Sequence, residues 1–217
     1  MESDATSFWT RESRSLILGY TAQESMARPR EFDENEVVNR AAELFWEKGY
    51  RRTTPSQLVE ATGLSKSSLY ATFGSKHALF LRALERYVDG QEYELRRLLD
   101  AGTLRDGLGR MYARIVESTT TDGGRSCLVC TAAIEVDSDE SEVISSLADA
   151  RERTMKVFAV RVRRAQAEGD VSTDRNAADI ARFIFNNNMG MVVSARANTN
   201  RAELEAIAAQ VVSAICG

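Results

Sequence analysis

The chain has 217 residues, 43% of them hydrophobic, and a formal net charge of −4. That length can bury a sizeable core in one large or two modest domains. Three cysteines are too few for a disulfide scaffold and fit a reducing cytoplasm; no run approaches a membrane span and no secretory signal is evident.

Residues 1–25 show no sustained helical period and hold one apolar patch, Leu16 to Tyr20, while Met26-Ala27-Arg28-Pro29-Arg30 reads as a natural start. Residues 1–30 are therefore expected to be a flexible extension, an upstream arm or a start-site artefact. The alternative is a basic arm whose Arg28 and Arg30 touch DNA phosphates or the minor groove. A first helix follows, with Asp33 as cap, Glu36 as its capping-box partner and Val37, Ala41 and Phe45 at i, i+4 and i+8; it ends at Gly49.

The stretch from Thr53 to Phe80 carries the most information. Thr54 caps a short helix with Pro55 at its first position and Gln57 closing a capping box. Gly63 supplies a sharp turn, and Ser65 caps a second helix over Lys66 to Phe73. Leu58, Val59, Leu64, Leu69 and Phe73 are spaced as a small core between them. This layout predicts a helix-turn-helix, whose second helix enters the DNA major groove. Lys66, Ser67, Ser68, Tyr70 and Ala71 are left for its outer face or edge, while Thr53, Thr54, Tyr70 and Lys76 are placed to donate to phosphates. From Gly49 to Lys76 four basic residues face one acid, Glu60, so positive charge is focused on a segment of net +3 in an acidic chain.

Helical patterning continues to the end. A fourth helix starts at Ser75 and repeats Leu79/Phe80, Ala83/Leu84 and Tyr87/Val88, the stripe of a buried face. A fifth covers 103–118, and 119–124 is a polar break. A sixth covers 126–136, a seventh 141–168, an eighth 174–197 capped by Asp174 or Thr173, and a ninth 201–216 capped by Asn200. Neither repeats nor strand alternation are visible. The last two helices bear small and β-branched residues, Ala177, Ala181, Gly190 and Ala195 in one and Ile207, Ala208, Val211, Val212 and Ile215 in the other. Such a face suits a two-fold four-helix dimer interface, or packing within the monomer.

Candidate effector residues are fewer. Met111, Ile115, Leu128, Phe158, Phe183, Phe185 and Met191 provide apolar surface, and a binding site needs polar groups among them. Tyr112, Thr131, Thr154 and the run Asn186-Asn187-Asn188 are candidates, with Asn187 favoured because it lies four residues after Phe183. Cys127 and Cys130 stand one turn apart. They read either as small buried core residues or as a redox or electrophile sensor, with Cys127 near a helix N-terminus and beside Arg125, where its thiol pKa would fall. A metal site is disfavoured because His77 is the sole histidine, and Cys216 is expected to be uninformative. Glu135, Asp137, Asp139, Glu140 and Glu142 read as solvated surface. One histidine and the absence of a phosphate-binding glycine motif argue against an enzyme, so no catalytic residue and no cofactor is expected.

Gly63-Leu64-Ser65 followed by Tyr70-x-x-Phe73-Gly74-Ser75-Lys76-x-x-Leu79-Phe80, with Ala41, Ala42, Leu44, Phe45, Gly49, Tyr50, Thr53 and Thr54 upstream, resembles the signature of the tetracycline-repressor (TetR) family. The match covers Glu36 to Phe80; beyond it the resemblance is architectural. It implies an all-α homodimeric repressor: a helix-turn-helix DNA-binding domain at 31–78 and a helical ligand-binding and dimerisation domain at 79–217. Its partners would be a palindromic double-stranded operator, a small-molecule effector and a second copy through the last two helices, with no membrane. The resemblance places Thr53, Thr54, Tyr70 and Lys76 on the DNA backbone and Lys66, Ser67, Ser68 and Ala71 toward the bases; Ser65 completes the DNA-binding set. Tyr112, Cys127, Thr131, Phe158, Phe183 and Asn187 form the expected effector set. Ser126-Cys127-Leu128-Val129-Cys130 also resembles a TetR subgroup in which a cysteine here reacts with oxidants or unsaturated electrophiles, although Ser126 replaces the usual glycine. A thiol-sensing repressor using Cys127 is thus one alternative, and a helical adaptor that binds no DNA is another.

Overall fold

The computed structural model describes residues 32–121 and 127–217. The expectations for residues 1–30 and for Arg125 and Ser126 fall outside them. Among the described residues there are nine helices and no strand: α1 Glu34–Lys48, α2 Pro55–Thr62, α3 Lys66–Phe73, α4 Lys76–Asp100, α5 Leu104–Thr120, α6 Leu128–Glu135, α7 Ser141–Glu168, α8 Ala177–Arg196 and α9 Arg201–Cys216. The all-helical architecture is as the sequence predicts. Two starts differ. Asn176, not Asp174 or Thr173, caps α8, accepting from the N–H groups of Ala178 and Asp179. At α1, Asp33 accepts from Asn35 N–H at 2.8 Å, while Glu36 forms an ion pair with Arg40 one turn on instead of closing a capping box. A charged guanidinium on the same helix face is the stronger partner for that carboxylate.

The described residues form two compact units, 32–91 with 127–147, and 92–121 with 148–217; α4 and α7 contribute residues to both. In the first unit α1 buries Val37, Val38, Ala41, Ala42 and Phe45. Phe45 meets Phe80 of α4 edge-on with ring centroids 5.1 Å apart, and Trp46 meets Tyr87 at 5.4 Å. Such pairs add about 0.5–1.5 kcal/mol beyond the area they bury. The expected α4 stripe, Leu79, Phe80, Ala83, Leu84, Tyr87 and Val88, is buried throughout.

The second unit is built on a continuous core to which α5 gives Leu104, Leu108, Met111 and Tyr112, α7 gives Val157, Phe158 and Val162, and α8 and α9 give Ile180, Ile184, Met191, Leu204, Val211 and Ile215. Arg161 is 3% exposed within this unit. Its guanidinium donates to the carbonyls of Leu99 at 2.8 Å and Gly102 at 2.9 Å, and stands 3.7 Å from Glu168. It therefore satisfies carbonyls that the end of α4 leaves without helical partners. Nothing local in the sequence marks Arg161 for this role.

Candidate nucleic-acid interface and sensor residues

The α2–α3 pair forms by the local chemistry its sequence predicts. Thr54 accepts from Gln57 N–H while the Gln57 side chain accepts from Thr54 N–H. Gly63 ends α2 in the left-handed region, φ 73°, where a side chain is strained. Ser65 caps α3, accepting from Ser68 N–H at 3.1 Å, and its hydroxyl also bonds those of Ser67 and Ser68. Leu58, Leu69 and Phe73 are buried between the helices; Val59 and Leu64 are half-buried. On α3, Lys66, Ser67 and Ala71 are exposed and Ser68 and Tyr70 half-exposed. These residues share one short, outward-facing helix with no bulky apolar side chain to obstruct a groove.

Thr53 is a correction. Its side chain is 1% exposed and its hydroxyl donates to Gly49 carbonyl at 2.7 Å, so it braces the α1–α2 turn instead of meeting a phosphate. Thr54 remains at the surface, with its hydroxyl engaged as a cap. Lys76 is half-buried, its ammonium 4.6 Å from the Tyr50 ring centroid, and that burial lowers its pKa.

The acidic run also departs from expectation. It is not merely solvated: Arg51 pairs with Asp137 and lies 3.9 Å from Glu140. Arg51 N–H donates to Glu135 at 3.3 Å, and His77 Nε2 lies 3.1 Å from Glu142. Gly49 (φ 83°) leaves room here, since a Cβ would run into the Glu135 carboxylate. Each exposed pair contributes little stability. Together they hold the turn that precedes α2 against α6 and the start of α7, and they neutralise part of the segment's positive charge. The charges are far apart in sequence, so no helical spacing could have announced the pairing.

Cys127 is the N-cap residue of α6, half-buried, and Cys130 is buried on the first turn. No conventional cap bond forms, but the Cys127 sulfur lies against the Cys130 thiol, the N–H groups of Cys130 and Val129, and the Tyr87 hydroxyl. The Cys130 hydrogen bond, helped by the backbone and Tyr87, outweighs burial and lowers the Cys127 pKa to about 6. Burial, reinforced by Cys127, moves Tyr87 the other way, well above its ordinary value. Tyr87 reads in sequence as one more residue of a buried stripe; its polar end becomes visible only beside the thiols.

The other expected effector residues divide between the units. Thr131 is buried in the first with Cys127, whereas Tyr112 and Phe158 lie in the core of the second. Phe183 is 41% exposed, and the Asn187 side chain folds back to donate to Phe183 carbonyl at 2.8 Å. Asn187 is thus not the inward-facing asparagine. Asn188 is: its Nδ2 approaches Met111 Sδ at 3.7 Å and its Oδ1 is buried without a partner. The hydroxyl of Tyr112, next to Met111 on α5, is likewise buried and unpartnered. Helical rotation by one position decides which asparagine points inward, and the absolute rotation of α8 is set by packing.

Much of the small-residue face on the last two helices packs inside the second unit: Ala177, Ala181, Ala208, Val211, Val212 and Ile215 belong to its core. The apolar surface left outside is Phe183 and Val193 of α8 with Ile207 of α9, and Gly190 lies open between the first two. Among the described residues no three His, Cys, Asp or Glu side chains are grouped to hold a metal ion, and no helix is long and apolar enough to cross a membrane.

Known proteins agree with this arrangement. Residues 37–83 match the family model for bacterial regulatory proteins of the tetR family, and residues 83–211 match the tetracyclin repressor-like C-terminal domain. The HTH-type transcriptional repressor ComR of Escherichia coli K12 is 30% identical over 86% of this chain and 90% of its own. YezE of Bacillus subtilis, an HTH-type transcriptional regulator, is 25% identical over 83% of this chain and 94% of its own. Among solved structures, a cysteine mutant of the TetR-family regulator CifR, complexed with 26-base-pair double-strand operator DNA, superposes with a TM-score of 0.77. It shares 32% identity, covering 87% of this chain and all of that one. The capped helix-turn-helix, the all-helical architecture and these matches make the chain a member of the TetR family of DNA-binding transcriptional regulators.

Proposed function

We propose that the chain is a homodimeric repressor that binds a palindromic operator and is released by a small-molecule effector. The observation that carries this reading is the α2–Gly63–α3 unit, which turns Lys66, Ser67 and Ala71 to solvent on a rigidly capped helix. In it residues 31–78 read DNA and 79–217 bind ligand and a second copy. Lys66, Ser67, Ser68 and Ala71 face bases; Thr54, Ser65, Tyr70 and Lys76 position the backbone. The exposed Phe183, Val193 and Ile207 meet the same face of a second copy, setting two recognition helices about 34–36 Å apart. The unpartnered Tyr112 hydroxyl and Asn188 Oδ1 support an effector site in the second unit, because a buried polar group without a partner is destabilising unless a ligand completes it. The protein acts in the cytoplasm and returns its effector unchanged, without catalysis.

Selection of bound fragments from genomic DNA with purified protein tests this. Enrichment of one palindromic site, with affinity falling steeply as salt rises, is the expected result. A folded dimer that enriches no site, with or without candidate effectors, would favour a helical adaptor.

A second reading is favoured by one specific observation. The Cys127 thiol, half-buried and held at about pKa 6, is a nucleophile at neutral pH. In this reading oxidants or electrophiles act at Cys127 as the releasing signal. Cys127→Ser is expected to retain operator binding and lose that response.

A further inference from the structure

We propose that Cys127 and Cys130 form a hydroperoxide-responsive dithiol that closes to a disulfide within the first turn of α6, and that the Tyr87 hydroxyl positions the attacking sulfur. The proposal rests on the thiol-sensing reading above and names the product of the reaction.

Three observations carry it. Cys127 occupies the cap of α6 and Cys130 its third helical position. The Cys127 and Cys130 side chains interact directly across that turn. Residues three apart on a helix have Cβ atoms about 5–6 Å apart, and a disulfide needs about 3.5–4.5 Å, so closure asks only a small adjustment at a helix end. Access is graded: Cys127 is half-buried and Cys130 is 4% exposed, so a small peroxide meets Cys127 first and the second sulfur waits behind it. Finally, Tyr87, itself buried, brings a hydroxyl from α4 to the Cys127 sulfur. A pair of cysteines serving only as small core residues does not call for that hydroxyl.

The chemistry balances with a hydroperoxide as the oxidant. The Cys127 thiolate attacks one peroxide oxygen; the O–O bond breaks, and the other oxygen leaves with a proton as water or an alcohol. Cys127 is then a sulfenic acid. The Cys130 thiol loses its proton and attacks the Cys127 sulfur; the S–S bond forms and water leaves. Two thiols have given two electrons to one peroxide. The bond replaces the thiol–thiolate contact and alters the sulfur's contacts with Tyr87 and the α6 N–H groups. Eight residues of helix connect this turn to Glu135, whose carboxylate contacts Gly49 and Arg51 before α2. A change at the thiols thus reaches the turn that precedes α2 within one compact unit.

The test uses the full chain treated with hydrogen peroxide and then digested with trypsin. Cleavage after Arg125 and Arg151 leaves both cysteines on one peptide, 126–151, with Cys216 elsewhere. The expected product is that peptide lighter by two hydrogens, refractory to alkylation until reduced, and without a dimedone adduct. Cys130→Ala, an apolar replacement suited to its buried site, should instead leave a dimedone-trappable sulfenic acid on Cys127. Tyr87→Phe should slow oxidation and raise the pH at which Cys127 alkylation is half-maximal, with circular dichroism unchanged. Oxygen addition at Cys127 without disulfide in the unaltered chain, or a bond to Cys216, would overturn the dithiol. An unshifted alkylation profile in Tyr87→Phe removes Tyr87 from it. Binding of the peroxide-treated chain to the selected DNA fragment separates the two ideas. Disulfide formation with unchanged affinity sinks the sensing reading and leaves the dithiol. Release that persists in Cys130→Ala sinks the need for a disulfide and leaves the sensor.

Discussion

The helix-turn-helix of the first unit and the core of the second treat polar groups in opposite ways. Around α2 and α3 each buried or capping hydroxyl has a partner close in sequence: Thr53 to Gly49, Thr54 with Gln57, Thr62 to Leu58, Ser65 with Ser68. What remains for DNA is the exposed surface. In the second unit Tyr112 and Asn188 each bury a polar atom with no partner, and the buried Arg161 guanidinium caps carbonyls far away in sequence. A surface that reads DNA must be rigid and complete before binding. A site that takes up a small molecule retains unsatisfied groups until the ligand arrives, at a cost in stability.

The largest effect should come from the filled core. Phe45→Ala removes a fully buried ring packed on Phe80 and Tyr50 and should cost about 3–5 kcal/mol by denaturant titration. A loss under one kcal/mol, about the least a buried methylene is worth, would mean that the first unit is loosely packed. Arg161→Met should cost about 2–4 kcal/mol by stranding the Leu99 and Gly102 carbonyls. An unchanged melting temperature would show that these carbonyls find other partners.

Glu94 supplies a pH test of the second unit. Burial opposes its ionisation, but Arg97 and Arg114 overcome that and hold the carboxyl below its usual range. The ionised form is favoured in the folded state, so its stabilisation is full above the unfolded pKa of about 4.3 and is lost as pH falls through the lower folded value. Glu94→Gln should flatten the acid side of the stability profile. A profile parallel to that of the unaltered chain would assign acid unfolding to other carboxylates.

Tyr112→Phe and Asn188→Ala sharpen the comparison by reversing the usual sign. Each removes an unpartnered buried polar atom, so Tyr112→Phe should leave stability unchanged or raise it by about 1 kcal/mol, while Asn188→Ala, which also gives up the Nδ2 contact with Met111, should leave it near neutral, both with the effector response weakened. A clear loss of stability would reveal a partner for these atoms in solution. The smallest change is expected at Lys76→Ala, which should weaken binding to all DNA sequences and reduce the salt slope by about one ion. An unaltered slope would leave Lys76 with its Tyr50 ring and no phosphate.

What could be read from the chain alone was set within a turn or two of backbone. Thr54-Pro55-Gln57, Gly63 and Ser65 specify their helix ends because each cap bonds a backbone group three or four residues away, and the α4 stripe from Leu79 to Val88 declares its buried face by period. These local terms led to the helix-turn-helix and to each of the nine described helices. Tertiary structure decided matters that depend on how elements rotate and meet. It turned Thr53 inward and Asn188 in place of Asn187, and drew Arg51 and His77 to acids some sixty to ninety residues later. It placed the Tyr87 hydroxyl on the Cys127 sulfur and packed most of the small-residue face into the core. A shift of one residue turns a helix face by about 100°, and a side chain's partner across a core has no fixed spacing in sequence. Local propensity therefore determines that these helices form, while packing alone determines which of their polar groups are left to act.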